Sequence, residues 1–122
     1  MAAERRHQKQ WRFYETDAGR KVAREELDAL EPHGKAALAE AMRRYRSGEE
    51  FAHEVSSIGD GLRELRVSVG NDPFRLIFAA QGRYSQVLLV VRVFYKNSRK
   101  LPKADRDLAL DRLKAWKRRS HT

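Results

Sequence analysis

At 122 residues the chain has the length of one domain able to bury a core without covalent staples, and 26 Lys and Arg against 17 Asp and Glu give it a formal charge of +9. It has no cysteine, which excludes a disulfide framework, a thiol nucleophile and a thiolate metal site. The longest apolar run, Val87 to Val91, is far too short to span a bilayer and the first residues lack the apolar stretch of a signal peptide, so the expected setting is the cytoplasm, away from membrane.

Gln10 to Glu15 partly alternates and predicts a strand, with Thr16-Asp17-Ala18-Gly19 as the turn out of it. From Arg20 to Leu30 the spacing changes: Ala23, Leu27 and Leu30 fall on one helical stripe. Pro32 and Gly34 interrupt it. A second helix then runs to about Arg46, with Ala37, Leu38, Ala41, Met42 and Tyr45 on one face and Gly48 as its stop. Residues 49–61 have no decisive period, and Gly59-Asp60-Gly61 argues for a loop near their end.

Leu62 to Val69 alternates cleanly and predicts a strand. The turn Gly70-Asn71-Asp72-Pro73 leads to a strand over Phe74 to Ala80, and Gln81-Gly82-Arg83 to a long strand over Tyr84 to Lys96. That last strand is so apolar in its middle that both of its faces should be covered. Pro102 opens a final helix from about Lys103 to Arg118, with Ala109, Leu113 and Trp116 on one face. Asp105 and Asp107 sit at the positive end of its dipole. The expected fold is α+β, of order β-α-α-β-β-β-α, with an antiparallel-dominated twisted sheet and helices on one face. Its core should lie at about residues 10–118 of a single domain, flanked by flexible termini.

The positive charge is concentrated in the second half. Residues 62–122 hold 15 Lys and Arg against 5 Asp and Glu, and residues 1–61 hold 11 against 12. Arg66, Arg75, Arg92 and Lys96 interrupt predicted strands, where a desolvated cation needs a partner or water. Strand parity sets Arg66 opposite Leu65, Val67 and Val69, and Arg75 opposite Phe74, Leu76 and Phe78. With those apolar rows under the helices, both arginines emerge on the uncovered side of the sheet, where Arg92 and Lys96 can join them. Arg99, Lys100 and Lys103 add charge at the strand's exit, and Tyr95 offers a ring on which a base can stack if a twist brings it round. Taken singly, such cations are commonly surface charges with carboxylate partners. Clustered, they argue for an anion site, and a nucleic-acid backbone is the natural anion.

RNA carries its own nucleophile, the ribose 2′-OH, so a protein site need only loosen that proton, stabilise the phosphorane and protonate the leaving 5′-oxygen. Forked guanidinium donors on Arg66 and Arg75 suit the second task. Lys96, crowded by arginines, is the candidate acid or base, and Glu64 is either a rival base or an ion-pair partner of Arg66. No metal or other cofactor is expected: His7, His33, His53 and His121 lack ligand spacing, and no Gly-rich phosphate loop appears.

Several segments resemble the HigB-like branch of the RelE/ParE toxin superfamily, in its phage-derived Gp49-like group. They are Phe13-Tyr14-Glu15-Thr16 with Gly19-Arg20; Gly61-Leu62-Arg63-Glu64-Leu65-Arg66; Phe74-Arg75-Leu76-Ile77-Phe78; and Phe94-Tyr95-Lys96-Asn97-Ser98-Arg99-Lys100-Leu101-Pro102. The resemblance implies a small α+β toxin that cleaves mRNA in the ribosomal A site and is silenced by a helix-turn-helix antitoxin. Arg66 and Arg75 match the family's sheet arginines, and Lys96 and Lys100 its basic motif. Asn97 stands where a second lysine is common. The competing functions are a ParE-like inhibitor of DNA gyrase and an inactive relic that binds antitoxin or nucleic acid; the arginines on adjacent strands favour the endoribonuclease.

Overall fold

Alternating and helical stripes become strands and helices close to where the sequence places them. The computed structural model describes residues 8–96 and 100–120, with the backbone alone at 120. In chain order the elements are β1 (Gln10–Phe13), α1 (Val22–Asp28), α2 (Pro32–Arg46), β2 (Val55–Gly59), β3 (Leu62–Val69), β4 (Asp72–Gln81), β5 (Val87–Tyr95) and α3 (Lys103–Ser120). The strands form one sheet ordered β1-β5-β4-β3-β2. All pairs are antiparallel except β1, which runs parallel to β5.

The α+β class and the expected order hold, with β2 added. The loop expected at Gly59-Asp60-Gly61 is the turn of the β2–β3 hairpin. Asp60 and Gly61 have φ of 55° and 78°, both positive, as the two-residue Asp-Gly turn of a tight hairpin requires. β2 itself is Val-Ser-Ser-Ile-Gly at the sheet edge, too short and polar for its alternation to stand out.

Pairing sorts the strand residues into two faces. Leu65, Leu76 and Val93 align across β3, β4 and β5, as do Val67, Phe74 and Tyr95, and this face takes α2. Tyr45 of α2 meets the Phe78 ring edge-on with centroids 5.1 Å apart, and Trp11 donates from Nε1 to the Met42 carbonyl at 2.8 Å. The other face carries Glu64, Ile77 and Arg92 in one row and Arg66, Arg75 and Phe94 in the next. The helices were expected together on one face; α3 instead meets this second face, where Asp105 pairs with Arg92 at 2.9 Å. The reason lies in β4, whose residues Phe74 to Ala79 are buried without a break, so each side of the strand needs cover.

β1 reaches only Val90 of β5, so the main-chain groups of β5 beyond it need other partners. Glu26 of α1 accepts from the Val93 amide at 3.1 Å, and Arg112 of α3 donates to the Val91 carbonyl at 2.9 Å. The same Glu26 carboxylate pairs with Arg92 at 2.7 Å and Arg112 at 2.8 Å. Val91 is the extra residue of a bulge, since the register steps from Ile77↔Arg92 to Phe78↔Val90. Among the described residues no helix is long and apolar enough to cross a membrane.

The close approach of α2 to the sheet depends on Gly34, where a Cβ would lie 2.3 Å from the Phe74 ring. Overpacking costs about 1–3 kcal/mol, against about 1 kcal/mol gained in helix propensity over glycine. With so short a contact the first term wins. Gly34→Ala is therefore expected to lower the urea midpoint of unfolding without changing its slope.

Candidate nucleic-acid interface

Arg66 and Arg75 stand directly opposite each other across β3 and β4. Like charges so placed repel, and their Cβ atoms are about 5 Å apart. Glu64, one row back, lies between the two heads: Oε1 is 3.6 Å from Arg66 Nε and Oε2 is 3.7 Å from Arg75 Nη1. Of the two uses weighed for Glu64, base or ion-pair partner, this geometry is the second. The two arginines differ sharply in exposure. The Arg66 side chain is 43 % exposed, whereas Arg75 is completely covered.

Just before α3, the Lys100 carbonyl accepts from Arg75 Nη1 at 3.1 Å. Burial pushes the Arg75 guanidinium below its ordinary pKa; Glu64 opposes this and the Arg66 charge adds to it. A guanidinium titrates so far above neutrality that it stays charged. Arg75 was expected to emerge on an open sheet face. It is instead a buried cation beneath Arg66, because α3 occupies the side of the sheet that parity alone leaves empty.

The remaining expected site residues separate. Arg92 is bound by Glu26 at 2.7 Å and Asp105 at 2.9 Å, so its guanidinium holds α1 and α3 to β5 and is not offered to a ligand. Tyr95 lies on the other face, its ring 5.4 Å from Phe74 and its hydroxyl 3.3 Å from Asp72 Oδ1; burial, then that carboxylate, raises its phenol pKa. Lys96 follows β5 as an exposed residue, and strand alternation carried one step further aligns it with Phe94, beside the arginine row. Lys100 is exposed near Arg75. Lys103 opens α3 and pairs with Asp107 at 2.8 Å, a hydrogen bond that raises its pKa. Arg99 lies outside the described residues.

Arg66 also forms one wall of a cleft of about 420 Å³ shared with Arg44, Phe51, His53 and Ser68. Phe51 is 63 % exposed, and the Arg44 guanidinium lies 4.2 Å from its ring centroid. Arg44 is in turn ion-paired with Glu54, whose carbonyl accepts the Arg66 amide at 2.9 Å. Sequence reasoning missed Phe51, Arg44 and Glu54 as neighbours of Arg66. They sit in or against the stretch 49–61, where no periodicity assigns a face to any residue; the one available signal was the Asp60-Gly61 turn, which folds this stretch back onto β3.

Residues 25–114 match the model of a family described as phage derived protein Gp49-like. Over 109 residues the chain is 38 % identical to proteins named probable endoribonuclease HigB1 from two strains of Mycobacterium tuberculosis, covering 88 % of this chain and 85 % of theirs. The family match runs from α1 into α3 and includes Glu64, Arg66 and Arg75.

Glu64 pairs with both Arg66 and Arg75. Removing it takes a carboxylate away from a buried guanidinium, at a cost on the order of 3 kcal/mol, whereas replacing a buried pair with apolar side chains is often nearly neutral. Glu64→Ala should thus destabilise the fold more than the double change Glu64→Leu with Arg75→Met, as read by urea denaturation of both variants.

Proposed function

This chain belongs to the phage-derived Gp49-like family, and from that premise we propose that it is the toxin of a toxin–antitoxin pair, an endoribonuclease that cleaves mRNA. The observation that carries the proposal is the exposed guanidinium of Arg66, paired with Glu64 beside buried Arg75. A projecting guanidinium binds non-bridging phosphate oxygens in a forked geometry and gains strength as charge grows on the phosphorane. Its orientation is set in advance by Glu64, so little reorganisation is left for the reaction.

In the proposed reaction the 2′-oxygen attacks the adjacent phosphorus, the bond to the 5′-oxygen breaks, and a cyclic phosphate and a free 5′-hydroxyl result. One proton leaves the 2′-OH and one is delivered to the 5′-oxygen. Lys96, on the rim of the arginine row, is the proposed group for one of these transfers. Lys100 and Lys103, with Arg99, form the proposed track for flanking phosphates. The proposed setting is the ribosomal A site, and the proposed silencing partner is a helix-turn-helix antitoxin. The toxin unit is a single domain of about residues 10–118.

Induced expression followed by primer-extension mapping of mRNA ends tests the activity. New transcript ends should appear on induction and vanish with Arg66→Ala, which slows cleavage about 100-fold or more while leaving the circular dichroism spectrum unchanged. Arg66→Lys should retain part of the rate. Intact transcripts accompanied by broken DNA, or full cleavage by Arg66→Ala, would overturn the proposal.

A further inference from the structure

At the far edge of the sheet, β1 leaves half of its main-chain groups without a sheet partner. Gln10 and Tyr14 donate their amides inward, to the Gln86 and Val90 carbonyls at 2.8 and 2.9 Å. Alternation in a parallel ladder then turns the amides of Trp11 and Phe13 outward, away from β5. An exposed strand edge is a template for another chain, and proteins commonly cover or blunt one. Here the edge opens into a cleft of about 560 Å³ lined by Lys21, Arg24, Trp116 and Arg119.

The charges along this cleft are one-sided. Arg12, Lys21, Arg24 and Arg119 line it against a single acid, Glu15. Arg119 is held in place by Asp17 at 3.3 Å and the Glu15 carbonyl at 2.7 Å, and Arg24 by Asp28 at 3.3 Å. Arg12 and Lys21 have no carboxylate within pairing distance among the described residues. The cleft also carries three aromatic side chains, Trp11, Phe13 and Trp116, each only partly buried.

Resting on the reading of the chain as a toxin held by a protein partner, we propose that the β1 edge and this cleft receive an extended acidic segment of that partner as a sixth strand. Main-chain donors and acceptors repeating along an edge match a polypeptide strand, which RNA cannot reproduce, and the aromatic side chains supply pockets for its alternate apolar residues. A second copy of the chain is disfavoured by its own charge, since joining two such edges would bring both cationic rims together. The edge lies two and three strand spacings from β4 and β3, roughly 10–14 Å from the strands bearing Arg75 and Arg66. A strand added there sits apart from the catalytic arginine.

The test uses the intact protein and a blocked eight-residue peptide of alternating Glu and Val, with an alternating Lys and Val peptide as control, followed by amide NMR and hydrogen exchange. The acidic peptide should shift and protect the Trp11 and Phe13 amides, and the basic one should not. Arg12→Glu with Lys21→Glu should weaken binding at least tenfold and leave RNA cleavage unchanged. No effect at the edge up to millimolar peptide, equal binding of the basic peptide, protection that grows with protein concentration alone, or tighter occupation of the edge by an eight-uridine RNA would each overturn the proposal. Arg66→Ala should bind the acidic peptide as the parent does, so a failure of the RNA reading and a failure of the docking surface are told apart.

Discussion

Glu26 accepts from the guanidinium groups of Arg92 and Arg112 and from the Val93 amide, and the positions of α1, β5 and α3 all meet at that carboxylate. The need for it comes from the shortness of β1. A four-residue strand cannot satisfy the whole side of a nine-residue one, and a buried main-chain group left unmet costs about 1–3 kcal/mol. A carboxylate with two guanidiniums fills the gap, and the side chains are 17 %, 24 % and 13 % exposed for Glu26, Arg92 and Arg112. At that depth the charges satisfy one another, and loss of Glu26 takes a carboxylate from both arginines at once.

The nucleic-acid interface inherits its shape from this arrangement. Arg92 also binds Asp105, which seats the first turn of α3 against the sheet and brings the Lys100 carbonyl over Arg75. The cations of the sheet and of α3 thereby divide between two duties. Arg92, Arg112 and Arg75 are consumed inside the fold, each on a carboxylate or a carbonyl. Arg66, one strand farther out, keeps its head in solvent while sharing Glu64 with Arg75. A basic composition is therefore a poor guide to which charges meet a ligand, because much of it is spent on structure.

The sheet's two ends then differ in character. Just before β2, the chain folds 49–54 against β3 and makes a cleft lined by two arginines, a phenylalanine and a histidine. At β1 the sheet ends in an edge flanked by cations, of which Arg12 and Lys21 have no carboxylate within pairing distance among the described residues. One end offers side-chain heads to a phosphate; the other offers main-chain groups to a strand. The two surfaces suit ligands of different chemistry, and neither blocks the other.

Much was legible in the chain before any coordinates. The bounds of β3 follow from strict alternation at Leu62 to Val69, those of α2 and α3 from apolar stripes ended by Gly48 and opened by Pro102, and the cover on both sides of β5 from its unbroken apolar run. Parity also determined that Arg66 and Arg75 share a face, since a strand's side chains alternate whatever its surroundings. Only the tertiary structure decided that one is open and the other buried. That choice depends on Glu26, 66 positions before Arg92, and on the face that α3 occupies. Local periodicity reports which way a side chain points, but what waits there is set by contacts between residues far apart in the chain.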